Sequence, residues 1–139
     1  GNAALAVGGV AIGDGAISET DISIAIGAGA RAVSSVAIGV DSQALGLNTT
    51  AIGDYAAATG DRAVAIGANA TASGENSVAL GANTTATRDN SVSVGGRVIT
   101  DVAAGTAPTD AVNVQQLEER LDAAIASVPV FDSAPLSSA

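Results

Sequence analysis

The side chains that ordinarily act as general bases near neutral pH or as strong nucleophiles are missing here: the sequence has no His, no Cys and no Lys. Carboxylates, hydroxyls and amides remain. Asp14, Asp54 and Asp61 each follow a glycine, and paired carboxylates can do acid–base work. Aspartate after glycine is above all a turn pairing in which the side chain accepts from nearby backbone amides, so these three are expected to be turn residues. Calcium binding of the nonapeptide type needs Gly-Asp at period nine, and the spacing here does not supply it. Gly13-Asp-Gly15 and Gly27-Ala-Gly29 resemble phosphate loops but have no Lys and no following helix. Asn48-Thr-Thr, Asn69-Ala-Thr and Asn83-Thr-Thr match glycosylation sequons, although Asn and Thr also suit turns and outer strand faces. Thr49, Thr50, Thr84, Thr85 and Thr87 would suit an ice-binding solenoid, but a dense threonine ladder is missing. No catalytic, cofactor or metal site is expected, and the chain is read as a non-enzyme.

Charge and composition narrow the partners. The 139 residues carry a formal charge of −9, with acidic residues scattered along the chain. A nucleic-acid partner needs a basic stripe to neutralise phosphates, and none is expected here; the same argument disfavours adsorption to an anionic lipid surface. No apolar run could span a bilayer and no secretory signal pattern is present, so direct membrane insertion by this stretch is not expected. If the parent is exported, its signal and anchor are expected elsewhere. The absence of cysteine leaves no disulfide framework and no thiolate metal site, and is compatible with an exported protein that manages without oxidation.

The apolar half of the chain is mostly Ala, Val and Ile, with Tyr55 and Phe131 the sole aromatics. A core without large side chains must bury small ones in a regular stack, which points to a repeat. The motif Val/Ile-Ala-Ile/Leu-Gly recurs with its glycine at Gly13, Gly27, Gly39, Gly53, Gly67, Gly81 and Gly95, fourteen residues apart except for one step of twelve. An extra copy, Leu5-Ala-Val-Gly8, is out of phase.

Within each copy large and small residues alternate, and period two means a strand. A second alternation follows each glycine, as in Ala30 and Ala32 or Ala70 and Ala72. Fourteen residues hold two short strands and two tight turns, too few for a helix. The expected fold is an all-β solenoid, a flattened parallel β-roll over residues 1–95. Its core is expected to be Val36, Ile38, Val64, Ile66, Val78 and Leu80, opposed by the Ala/Ser pairs of the second strand. The face carrying Ala25, Ala37, Ala51, Ala65 and Ala79 is then expected to point outward and to serve as a close subunit interface.

From Arg97 the pattern changes to short β-rich runs broken by Gly105 and Pro108, a neck over residues 96–109. Thr109 or Asp110 is the expected N-cap of a helix over 110–128. Val114, Leu117, Leu121, Ala124 and Val128 are spaced three and four apart, the seam of a coiled coil, and so short a helix must associate to persist. Asn113 and Gln116 are expected to make structural hydrogen bonds near the helix start and between chains. Residues 129–139, with two prolines and several serines, are expected to be a flexible end.

Roll repeats followed by Asp110-Ala-Val-Asn-Val-Gln-Gln-Leu117 resemble the head and neck of trimeric autotransporter adhesins, the YadA-like family of Gram-negative bacteria. The resemblance covers about residues 3–128. It implies a left-handed roll, a homotrimer whose three rolls pack side by side, and a neck that steps the head down onto a trimeric coiled-coil stalk. It further implies multivalent attachment to host cell surfaces or extracellular matrix from a position on the bacterial surface. The C-terminal outer-membrane anchor would lie outside this stretch. The alternative is a passive spacer that presents another binding domain.

Overall fold

The computed structural model describes residues 1–129. The chain divides into two units, Gly1–Arg97 and Val98 onward. Among the described residues the first unit holds β1 (Leu5–Ala6), β2 (Val10–Ile12), β3 (Ile17–Ser18), β4 (Ile24–Ile26), β5 (Arg31–Ala32), β6 (Val36–Ile38), β7 (Gln43–Ala44), β8 (Thr50–Ile52), β9 (Ala57–Ala58), β10 (Val64–Ile66), β11 (Thr71–Ala72), β12 (Val78–Leu80), β13 (Thr85–Ala86) and β14 (Val92–Ser93). Odd-numbered strands stack into one parallel sheet and even-numbered strands into a second. This is the expected parallel solenoid, of about six turns.

Register follows the repeat. Ala37, Ala51, Ala65 and Ala79 pair in sequence along the even sheet, so like stacks on like. The twelve-residue step leaves strand pairing intact: Ile24 pairs with Val36 and Arg31 with Gln43. The two missing residues come out of the turn at 33–35. The out-of-phase Leu5-Ala-Val-Gly8 is explained the same way, because Leu5–Ala6 is a strand of the odd sheet and pairs with Ile17–Ser18.

The side of the sheet that faces inward reverses the expectation. Ala25, Ala37, Ala51, Ala65 and Ala79 are fully buried. Val36, Ile38, Val64 and Val78 are only half-buried, and Ile66 and Leu80 are exposed. The odd sheet behaves as expected, with Ala30, Ala32, Ala70 and Ala72 inside. The expected Val/Ile core is therefore corrected to an interior of small residues from both sheets. Coils of two- and three-residue strands closed by tight turns hold the sheets so near that threonine is the largest side chain fully buried, at Thr84. Volume excludes valine and isoleucine from a space that their hydrophobicity would favour.

Buried hydroxyls in this interior find partners, as buried polar groups must. Ser35 Oγ donates to the Gly46 carbonyl at 2.9 Å and accepts from the Thr49 amide at 3.0 Å, so it ties one coil to the next. Glycine at the repeat corners has a physical cause. Gly53 sits at φ 127°, and a Cβ there would lie 2.6 Å from the backbone carbon of Gly67 in the following coil.

In the second unit α1 runs Val114–Ser127. The expected start at 110 is corrected: Asn113 is the N-cap, in extended conformation, and neither Thr109 nor Asp110 takes that role. Val128 is the C-cap, extended, and so leaves the helical seam. The expected flexible end lies, apart from Pro129, outside the described residues.

Candidate functional site

Because the alanines turn inward, the even sheet presents its large aliphatics to the outside. Val10 and Ile12 begin two columns that continue through Ile24 and Ile26, Val36 and Ile38, Thr50 and Ile52, Val64 and Ile66, and Val78 and Leu80. Ile12 keeps 57% of its surface exposed and Leu80 keeps 45%. A contiguous apolar face of this extent marks an interaction surface. The alanine face on which an interface was expected is buried inside the roll and so is not available to a partner.

The outward face of the odd sheet differs. Its first column runs Leu5, Ile17, Arg31, Gln43, Ala57, Thr71 and Thr85, changing from aliphatic at one end to hydroxyl-bearing at the other. Arg31 Nε meets Glu19 Oε1 at 2.6 Å on this side. At the sheet edges the turn residues step by seven along the chain in left-handed conformation: Ser34, Asp41, Asn48, Tyr55, Arg62, Asn69, Asn76, Asn83 and Asn90. Asp54 accepts from the Val40 amide at 2.9 Å and Asp61 from the Leu47 amide at 3.0 Å. Both are turn residues as expected, but they tie coil to coil rather than bonding locally. Asp89, which the glycine-aspartate signal misses, does the same to the Glu75 amide at 2.8 Å. Its sequence signal is position, fourteen residues after a turn amide. Arg62 and Glu75 form an exposed ion pair between neighbouring turns.

The last coil is closed by Arg97, expected to belong to the neck but placed by the structure at the end of the first unit. Arg97 Nη1 donates to Thr84 Oγ1 at 2.8 Å and to the Val94 carbonyl at 2.9 Å, while Nη2 donates to the Ala82 carbonyl at 2.6 Å. Its guanidinium lies against Gly81, where a Cβ would meet Cζ at 2.6 Å. Five donors in a planar fork suit the orphan acceptors at the end of a solenoid.

The neck is organised by two amides and a carboxylate. Asn113 Oδ1 accepts from the Gln116 amide at 2.9 Å, and Asn113 Nδ2 donates to the Val102 carbonyl at 3.0 Å. Gln116 Nε2 donates to the Gly105 carbonyl and Gln116 Oε1 accepts from the Gly105 amide, both at 2.8 Å. Their bonds, expected near the helix start, thus also fold the preceding segment onto it. Asp110 Oδ2 accepts from the Ala107 and Thr106 amides, each at 2.9 Å. The Ala107 bond, then the Thr106 bond, hold its carboxyl below the ordinary carboxylate range.

On α1 no residue is buried. Val114, Leu117 and Leu121 keep 70%, 60% and 56% of their surface exposed, and Ile125, outside the expected seam, keeps 64% beside Ala124. Val128 is exposed as well. Surface depressions are open: one of about 370 Å³ is lined by residues such as Ile99, Asp101 and Asn113, and another of about 340 Å³ by Thr85, Arg88 and Ser93 among others. Neither gathers an acid with a base. No helix among the described residues is long and apolar enough to cross a membrane.

The family model of the YadA head domain repeat matches residues 4–30, 30–56, 58–84 and 72–97, and that of the coiled stalk of trimeric autotransporter adhesin matches 98–133. The chain belongs to the YadA-like trimeric autotransporter adhesins. Among solved structures, the collagen-binding domain of the Yersinia adhesin YadA resembles this adhesin chain with a TM-score of 0.65 at 35% identity. That match covers 81% of this chain and 74% of the other. Comparison with curated proteins finds no match. The roll is thus an adhesin head and α1 the start of a stalk. Members of such adhesin families are surface-exposed outer-membrane proteins, and membership points to a non-enzymatic role.

Proposed function

We propose that this chain forms the head, neck and stalk start of a homotrimeric surface fibre that attaches a bacterium to host cells or extracellular matrix. The observation that carries the attachment reading is the likeness over 81% of the chain to a domain described as collagen-binding. In this reading residues to Arg97 are head, 98–113 the neck, and the helix from Val114 the stalk start. Even-sheet faces of three copies cover one another, which supplies the burial that the Val/Ile columns lack in a single chain. The seam of Val114, Leu117, Leu121 and Ala124 meets its counterparts in the same assembly. Odd-sheet faces are left outward to meet the ligand, and many weak contacts add through raised effective concentration. An anchor in the outer membrane, outside this stretch, completes the localisation.

A spacer role is the second reading, supported by the open depressions and the lack of any aromatic cluster on the odd sheet. Binding of the purified assembly to immobilised collagen, fibronectin and laminin separates the two. Saturable binding at micromolar concentration supports attachment, and no binding to any matrix protein or cell surface favours the spacer.

A further inference from the structure

Asn69 and Asn83 occupy one column of turn positions, and Thr71 and Thr85 pair in the first outward column of the odd sheet. The fold requires neither residue type. Asp41 and Tyr55 adopt the same left-handed conformation in the same column, and Gln43 and Ala57 fill the same strand position. In two consecutive coils Asn nevertheless coincides with a hydroxyl two residues on, the pattern an asparagine glycosyltransferase reads.

Other asparagines provide a contrast. Asn76 and Asn90 share the left-handed conformation, but valine stands two residues on, and Asn76 Nδ2 donates to Asn90 Oδ1 at 2.9 Å. Asn69 and Asn83 are exposed, with no side-chain hydrogen bond among the described residues. Between each acceptor and its threonine lies a fully buried residue, Ala70 or Thr84. A transferase cannot grasp that tripeptide once the coil has closed, whereas the finished roll leaves the amide in solvent with room for a sugar.

We propose that Asn69 and Asn83 are N-glycosylation acceptors, modified before the roll closes and carrying their sugars outward at the edge of the odd sheet. The donor is a nucleotide- or lipid-linked sugar phosphate. The Asn Nδ2 attacks the anomeric carbon to form a C–N bond, the bond from that carbon to the phosphate oxygen breaks, and the phosphate leaves with the electron pair. The amide proton passes to a base of the transferase.

Mass spectrometry of peptides from the full-length protein, taken from its native cell surface, tests the assignment. Sugar increments are expected on the Asn69 and Asn83 peptides and not on those of Asn76 and Asn90. Thr71→Ala should remove the increment at Asn69 alone and Thr85→Ala that at Asn83 alone, with sedimentation unchanged. Unmodified Asn69 and Asn83 in the native protein would overturn the proposal. Timing is read separately with UDP-glucose and a soluble asparagine glucosyltransferase. An unfolded peptide spanning 65–89 should be modified at least about tenfold faster than the folded chain, because the closed coil must open first; equal rates would refute modification before closure.

Discussion

Ala65 has no exposed surface, while its neighbours Val64 and Ile66 keep part of theirs. Ranking by hydrophobicity alone reverses these positions, because it ignores how little space the two sheets enclose. Ala65→Val should therefore lower stability by about 1–3 kcal/mol through overpacking, as read by urea denaturation. An outward Ala65 would accept valine without loss. Gly53→Ala is expected to be at least as damaging, because it combines left-handed strain of roughly 1–3 kcal/mol with contact against the Gly67 backbone. Its melting temperature should fall well below that of Ala57→Ser, a change on the half-buried outer face. Glycine spacing disclosed these corners in the sequence, since only a close approach of backbones explains so regular a recurrence.

Ends of elements carry the next level of control. Arg97 holds acceptors of the final coil, and Arg97→Ala leaves the Ala82 and Val94 carbonyls and Thr84 Oγ1 without it. A loss of about 1–3 kcal/mol is expected, with faster amide exchange concentrated in residues 82–94; uniform exchange across the roll would contradict a capping role. In the neck, the lowered pKa of Asp110 gives a sign to the pH dependence. Its stabilising contribution is present above the ordinary aspartate value and is lost as pH falls through the lower value of the folded state. The amide proton shifts of Thr106 and Ala107 should titrate together in that acid range, and Asp110→Asn should abolish the titration. Helix boundaries were legible only to within a few residues. Three polar residues near the start, Thr109, Asp110 and Asn113, all suit an N-cap, and the choice falls to Asn113 because Gln116 completes the capping box from within the helix.

At the scale of the whole molecule, the apolar even sheet and the uncovered seam of α1 both call for further copies of the chain. The double variant Leu117→Asp, Leu121→Asp should shift sedimentation from trimer toward monomer. A persisting trimer would mean that the roll faces alone hold the assembly, and then Ile38→Asp or Ile66→Asp should be the substitutions that dissociate it. Loss of matrix binding on dissociation, with the roll still folded, is the expected consequence of contacts that are individually weak.

Repeat length, the two strands of each coil, the lack of His, Cys and Lys and the Asp110–Leu117 signature could be read from the residues alone. Stacking like on like writes its period directly into the chain. Tertiary structure decided which side of each even strand faces inward. Period two separates the two faces of a strand but does not say which one is interior. That choice is made by the gap between the sheets, which the turns set at a width that admits alanine, serine and threonine and turns valine and isoleucine outward.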